Sequence, residues 1–254
     1  MQWRNETDDI YKRLGDLRYN AEDDGLWVRT YGAKMEYGDQ NVETDTVSLQ
    51  VGYDRALQTD YGPTYIGGAL SYTDGDSDFD TGNGEFNTVA LTAYASWILD
   101  NNWYIDANVK YGWLNNEYDI RYQNFAYDGD FDTQAMSLSV ELGKRFPIND
   151  KFFVEPQVQT TYSHIFDEDY RTSNGLTVKQ SDVDSWVARI GVMGGYLLPQ
   201  DKGMAYVRAS YLYDFDGETR TEFIDSASAT SSVVDQDLGG SWYEVDLGIS
   251  GQLS

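Results

Sequence analysis

The chain has 254 residues, 43 acidic against 18 basic, and a formal net charge of −25, which argues against nucleic-acid binding because phosphate contacts require clustered lysine and arginine. It contains no cysteine, so disulfide and thiolate chemistry are excluded. No apolar run reaches about 18 residues, which excludes a helical membrane span and leaves a closed β-barrel as the remaining way to cross a bilayer.

The first segment predicts a short helix over residues 5–19. Ile10, Leu14 and Leu17 recur at spacings of four and three, after a possible cap at Asn5 or Thr7. The other faces are locally basic. Two interpretations remain open, a solvated terminal helix and a helix held inside a polar lumen. Polar residues follow Met1 where an export signal would have its apolar core, so we expect a segment of a longer precursor.

From Gly25 onward the chain alternates candidate strands with connections of two lengths. Ten strands are predicted, at 25–36, 45–57, 64–74, 86–99, 102–116, 132–146, 152–165, 183–198, 203–214 and 241–253. Short turns are predicted at 60–63, 100–102, 149–151 and 199–203, and long acidic loops at 37–44, 75–85, 117–131, 166–182 and 215–240. This alternation is typical of an outer-membrane barrel, with short periplasmic turns and long extracellular loops.

The stretch 86–118 is the clearest transmembrane hairpin. Apolar side chains alternate with polar ones along both arms, and each arm exceeds the roughly 9–11 residues that a tilted strand needs to cross a bilayer. Trp97, Trp103 and Trp113 stand near the ends of the apolar runs, where lipid headgroups favour indole rings. A hairpin of a soluble β-sandwich is the alternative, but its apolar alternation is usually shorter.

The polar face of these strands carries charges of both signs, which predicts a wet or ion-paired interior. We assign to this pore lining, or to contact with it, Arg18 of the helix and the strand residues Arg29, Asp54, Asp106, Lys110, Glu141, Glu155, Arg189, Arg208 and Glu244.

Two patterns could carry further chemistry. Asp74, Asp76, Asp78 and Glu85 stand at positions one, three, five and twelve of an EF-hand spacing, but Phe79 replaces the glycine at position six. The spacing therefore predicts a weak calcium site at most, and a solvated acidic loop is the preferred interpretation. The single histidine, His164, precedes Asp167, Glu168 and Asp169, which keeps an outer-membrane protease open as a minor alternative. No cofactor motif is found.

Taken together, several segments of the chain resemble the translocator domain of bacterial autotransporters, the type V secretion family. The matching segments are KRLGDLR at 12–18, GLWVR at 25–29, VGYD at 51–54, YIGG at 65–68, FVEPQ at 153–157 and SWVARIG at 185–191. The resemblance implies a twelve-stranded antiparallel barrel in the outer membrane, with a helix in its lumen. It also implies a non-enzymatic translocator and anchor for an N-terminal passenger. A general porin or structural barrel is the alternative.

This reading divides the chain into a linker helix at 1–24, inside the pore, and a barrel domain at 25–254. Two departures from the family stand out. Only ten strands are found. Ten is an even number and could close as a smaller barrel, but an unclosed sheet would leave unpaired edges in lipid, so we favour a sequence in which the last two strands are missing. Asp8 and Asp9 take the place of the asparagine pair at which the serine-protease members of the family cut themselves, which argues against self-cleavage. The implied partners are membrane lipid, lipopolysaccharide, the passenger and the barrel-assembly machinery.

Overall fold

The computed structural model describes residues 2–7, 14, 25–37, 41–59, 62–122, 125–198, 203–225 and 227–251. They form one short α-helix, α1, a 3₁₀ turn at Asp100–Asn102 and fifteen strands. The bounds are α1 Gln2–Thr7, β1 Gly25–Tyr37, β2 Val42–Thr59, β3 Gly62–Phe79, β4 Gly82–Ile98, β5 Trp103–Tyr122, β6 Phe125–Lys144, β7 Phe146–Pro147, β8 Phe152–Ile165, β9 Glu168–Arg171, β10 Leu176–Gln180, β11 Val183–Leu197, β12 Gly203–Asp214, β13 Glu218–Asp225, β14 Thr230–Asp237 and β15 Gly240–Gly251.

Ten long strands form one antiparallel sheet in the order β1-β2-β3-β4-β5-β6-β8-β11-β12-β15, with the two-residue β7 paired to β8. All ten predicted strands are therefore confirmed. In the described residues β1 pairs with β2 alone and β15 with β12 alone. The expectation of two further strands stays a prediction. No helix within the described ranges has the length and apolar character needed to span a membrane.

Burial in this sheet is inverted relative to a soluble protein. On β2, Ser48 and Gln50 are 1% and 0% exposed, whereas the intervening Val47 and Leu49 are 66% and 50% exposed. Because strand side chains alternate between the two faces, the polar residues share the buried face and the apolar residues share the outer one. A soluble sandwich buries the apolar face instead, so the pattern is that of a sheet whose outer face meets lipid.

The predicted loops at 75–85 and 117–131 are wrong, because the strands continue into them. β3 runs to Phe79 and β4 starts at Gly82, so the turn between them is Asp80–Thr81. Asp76 lies opposite Glu85, and Glu117 lies opposite Asp130. At 75–85 both faces are mostly polar, so the apolar alternation stops while the backbone pairing goes on. At 117–131 Tyr118 and Ile120 still alternate with acidic residues, and the strand continues through them.

Two further loops, predicted at 166–182 and 215–240, form a separate four-stranded sheet in the order β14-β13-β10-β9. We call it the small sheet. Tyr170 on β9 stacks on Phe131 with ring centroids 4.7 Å apart, and its hydroxyl lies 3.0 Å from that of Tyr118. The backbone nitrogen of Ser173 donates to the carbonyl oxygen of Asp128 at 2.9 Å. The small sheet is thereby fastened to the extended ends of β5 and β6.

At the opposite ends of the strands, the short turns predicted at 100–102 and 149–151 are confirmed, whereas residues 60–61 and 199–202 lie outside the described ones. Between β4 and β5, Asn101 and Asn102 have φ angles of 60° and 63°. Asparagine tolerates this left-handed region better than most side chains, so this pair suits a tight reversal. The helix predicted at 5–19 is helical where it is described, at 5–7 and at Leu14, and α1 begins earlier, at Gln2. The remaining predicted helical residues lie outside the described ones.

Candidate functional site

The candidate site is the buried polar face of the main sheet, together with the side chains of α1 that it surrounds. Contacts of α1 reach β3, β4, β5, β12 and β15, so the sheet wraps around the helix. Each contributing strand presents every second residue to this interior.

Glu6 and Lys110 form the centre of the helix contact. Both side chains are fully buried, and Lys110 Nζ lies 2.6 Å from Glu6 Oε2 and 2.6 Å from the Glu6 carbonyl oxygen. Thr73 also donates to the Glu6 carboxylate, and Ser71 Oγ donates to it at 3.4 Å. A buried charge pair is tolerated when its remaining lone pairs are satisfied, and this one has two extra hydroxyl donors.

Arg4 ties the same helix to the other side of the sheet. Its guanidinium pairs with Asp214 at the end of β12 and donates to the carbonyl oxygen of Leu238 at 2.7 Å. It also lies over the ring of Trp242 on β15, 5.0 Å from the centroid. Helix α1 is thus held by opposite charges on two strands that are far apart in the sheet order.

Trp3 supplies the apolar part of the contact. Its side chain is 1% exposed and packs with Ala90, Leu114 and Ala135, which stand on three consecutive strands. A Cβ atom built on Gly112 would come within 2.4 Å of the Trp3 ring. The absence of a side chain at position 112 therefore makes room for the indole.

A second cluster surrounds Leu14, which is fully buried against Trp27, Tyr65 and Tyr94. Trp27 Nε1 donates to Tyr94 Oη at 3.0 Å and lies 3.2 Å from Asp54 Oδ1. The Tyr94 hydroxyl in turn donates to Asp54. Asp54, a predicted lining residue, is therefore part of the wall that holds this apolar side chain.

A third cluster brings together three of the predicted residues. Arg189 on β11 pairs with Glu141 on β6, and its Nη1 atom donates to Gln157 at 3.2 Å and Ser210 at 3.1 Å. The Tyr104 hydroxyl lies 2.9 Å from Glu141 Oε1 and 3.0 Å from Glu155 Oε1.

Glu155 also accepts a hydrogen bond of 2.8 Å from Arg145 Nε. The third cluster is thus a continuous charged network across β5, β6, β8, β11 and β12.

The other predicted lining residues make polar or ring contacts of their own. Asp106 is buried and accepts from Ser96 at 2.5 Å, and Arg208 Nε donates to Asp246 at 2.8 Å. Glu244 accepts from Trp242 Nε1 at 2.9 Å. Arg29 is half-buried, with its guanidinium 5.6 Å from the centroid of the Tyr31 ring. Arg18 lies outside the described residues.

Sequence reasoning missed Arg4, Glu6, Asp214 and Arg145. Arg4 precedes the helix predicted at 5–19, and Glu6 stands in the first turn of that helix. No periodic signal links either residue to its charged partner, because Asp214 is 210 residues from Arg4 and Lys110 is 104 residues from Glu6. Arg145 comes directly after β6, where the alternation of side chains between the two faces of the sheet no longer applies. Asp214 could have been predicted, because it stands on β12 an even number of residues from Arg208 and therefore on the same inward face.

The residues considered for a calcium site and for an outer-membrane protease lie on the outer face, away from the buried polar interior. Asp74, Asp76, Asp78 and Glu85 are exposed along two paired strands and do not form a loop around one ion. Their use as a calcium site stays a prediction, on a backbone unlike an EF-hand. His164 points outward, with its Nδ1 atom 2.9 Å from Asp184 Oδ1, while Asp167 and Asp169 are exposed.

Comparisons with known proteins agree with this architecture. The family described as "Autotransporter beta-domain" matches residues 26–254. The pertactin autotransporter of Bordetella parapertussis is 28% identical over 259 residues, covering 99% of this chain and 27% of the relative. The BrkA autotransporter of Bordetella pertussis is 30% identical over 238 residues, covering 88% of this chain and 23% of the relative. The chain therefore spans about a quarter of the length of these relatives.

Two solved structures share the fold. The β-domain of the Bordetella autotransporter BrkA aligns with a TM-score of 0.68 at 23% identity, over 90% of this chain and 96% of that one. The translocator domain of NalP from Neisseria meningitidis aligns with a TM-score of 0.65 at 15% identity, over 99% of this chain and 98% of that one.

Proposed function

The chain belongs to the autotransporter β-domain family and is an outer-membrane translocator domain; we propose that it exports and anchors an N-terminal passenger and keeps α1 afterwards as a plug. The observation that carries the proposal is the double attachment of α1. Glu6 binds Lys110 on β5, and Arg4 binds Asp214 on β12, so the segment that joins passenger to barrel is fixed on both sides of the interior.

The direction of the chain supports this arrangement. Glu6 contacts Ser71 and Thr73 on β3, whereas Leu14 packs against Tyr65, which is closer to the short-turn end of the same strand. Residues 1–24 are therefore proposed as the pore segment, descending toward the end where β1 begins. Anything that precedes residue 1 would leave through the long-hairpin end, which in this class of barrel faces the cell exterior.

The outer face supports the proposed lipid partners. Exposed leucine and valine side chains cover the middle of the strands, and Trp103 and Trp113 stand at 40% and 43% exposure near the limits of that belt on β5. Beyond it the hairpins are acidic, which we propose to be the extracellular side, next to lipopolysaccharide. We also propose that barrel-assembly machinery inserts the domain and that residues 25–254 perform no catalysis.

Self-cleavage of the passenger remains a separate question. The expectation that it does not occur rests on Asp8 and Asp9, which lie outside the described residues. It stays a prediction.

An export assay tests the proposal. A reporter domain is placed upstream of residue 1, behind an export signal, and intact cells are treated with external protease. We expect the reporter to be cleaved in cells that carry residues 1–254 within the full-length protein. The matched control carries the same signal and reporter without residues 25–254, and its reporter should stay protected. Equal protection in both strains would contradict the translocator role and would favour a porin or structural barrel.

A further inference from the structure

A group of potential metal ligands lies on the outer face, at the end of the main sheet that carries the small sheet. His164 stands near the end of β8 and is directly opposite Asp184 near the start of β11. Asp182 lies in the connection that leads from β10 of the small sheet into β11. One ligand atom from each of the three side chains lies within 4.8 Å of the others.

One imidazole nitrogen and two carboxylate oxygens are ligands that suit a borderline divalent transition cation. Zn²⁺ binds imidazole nitrogen and carboxylate oxygen at about 2.0–2.2 Å, and sites with three protein ligands keep a position for water. Ligand atoms at these bond lengths stand roughly 3.4 Å apart around a tetrahedral ion. The His164–Asp184 pair, at 2.9 Å, therefore opens slightly, and atoms that lie as far as 4.8 Å apart come closer by about 1 Å. The three side chains are half-buried or exposed, so they can rotate by this amount without repacking a core.

The surroundings already orient two of the donors. Tyr162 Oη donates to Asp184 Oδ1 at 2.6 Å, and the edge of the Phe166 ring meets the His164 ring with centroids 4.7 Å apart. Hydrogen bonds of this kind to a ligating carboxylate fix its direction and raise metal affinity. In addition, two of the ligands stand on neighbouring hydrogen-bonded strands, which limits the variation in their separation.

We propose that His164, Asp182 and Asp184 form a site for a borderline divalent transition cation, with Zn²⁺ as the reference ion. Binding uses the neutral imidazole, so coordination through Nδ1 places the ring proton on Nε2 and replaces the hydrogen bond to Asp184 by a shared metal. Because Asp182 leads from the small sheet, the bound ion fastens that sheet to the main sheet. This role is independent of translocation, and it needs neither α1 nor the passenger.

Calorimetric titration of the detergent-purified protein with zinc chloride tests the proposal. We expect one Zn²⁺ per chain, loss of that binding in His164→Gln, and clear weakening in Asp182→Asn. Tyr162→Phe should weaken binding by about tenfold, since it removes an orienting hydrogen bond. Asp130→Asn changes an exposed outer-face acid on another strand, and it is the matched control that should bind like the parent protein.

A competition with calcium chloride separates the site from the general acidity of the outer face. The carboxylate-rich hairpins attract hard cations through oxygen alone, whereas the proposed site depends on an imidazole. We therefore expect excess Ca²⁺ to leave Zn²⁺ bound. Displacement by Ca²⁺, unchanged binding in His164→Gln with a parent-like circular dichroism spectrum, or no Zn²⁺ binding in the parent protein would each overturn the proposal.

Discussion

Lys110 Nζ donates hydrogen bonds of 2.6 Å to both the carbonyl oxygen and the Oε2 atom of Glu6. One buried ammonium group thus holds the backbone and the side chain of the N-terminal helix at once. This double contact makes Lys110 the strand residue on which retention of α1 depends most.

Lys110→Met should release the helix. The substitution leaves the Glu6 carboxylate buried without its cation, and breaking a buried pair in this way costs about 3–5 kcal/mol. Urea unfolding in detergent and protease sensitivity near residue 6 measure the effect. Lys34→Met is the matched control, because Lys34 and Glu43 form an exposed pair on the outer ends of β1 and β2. Equal loss of stability in the two variants would count against the anchor.

Gly112→Ala should displace Trp3. The added methyl group would meet the indole at 2.4 Å, and overpacking of this kind costs about 1–3 kcal/mol. Acrylamide quenching of tryptophan fluorescence should rise as the ring becomes accessible. Gly194→Ala is the control, since a Cβ there meets nothing within 4 Å. A crystal structure of Gly112→Ala with Trp3 still in place would refute the expected displacement.

Arg189→Met should destabilise the charged network of the interior. Glu141 would keep its hydrogen bond from the Tyr104 hydroxyl but would lose its buried ion pair with Arg189. We expect the free energy of unfolding to fall by about 3–5 kcal/mol. Arg220→Met removes an arginine from an exposed pair with Asp235 and should change stability little. Urea unfolding in detergent measures both variants. An equal loss of unfolding free energy in the two would argue against a structural network.

Docking of the small sheet should weaken at alkaline pH. Burial raises the pKa of both Tyr118 and Tyr170, whose hydroxyls share a hydrogen bond beyond the apolar belt that ends at Trp113. A raised pKa means that the docked state favours the protonated phenol. This stabilisation is therefore complete below about pH 10, the unperturbed value, and is lost as the pH rises through the raised pKa.

Tyrosinate absorbance measured against pH tests this prediction. Tyr170→Phe should remove one late-titrating tyrosine, whereas Tyr243→Phe, which leaves the Tyr118–Tyr170 hydrogen bond intact, is the control and should keep it. Identical titration curves for the two variants would contradict the docked arrangement.

The sequence was most informative where one face of a strand meets lipid. Val47 and Leu49 alternate with Ser48 and Gln50, and such contrast located all ten long strands. The alternation gave no signal beyond the apolar belt of the outer face. Asp76 and Glu85 lie opposite each other on paired strands, but strands that are polar on both faces show no period of two in hydrophobicity.

The alternation along each strand predicted which residues face the interior, but it did not predict which of them contact one another. Glu141 and Arg189 were both assigned to the polar face, but their contact depends on the curvature of the sheet. Glu6 had no such signal, since its role comes from a helix position relative to β3 and β5.

Single-channel conductance in planar bilayers tests the central claim, that α1 occupies the interior as a plug. Protein lacking residues 1–20 should show a clearly larger conductance than protein that begins at residue 1, because the space held by Trp3, Glu6 and Leu14 is opened to water and ions. Lys110→Met should give intermittent openings toward the same level. Equal conductance with and without residues 1–20 would contradict the plug.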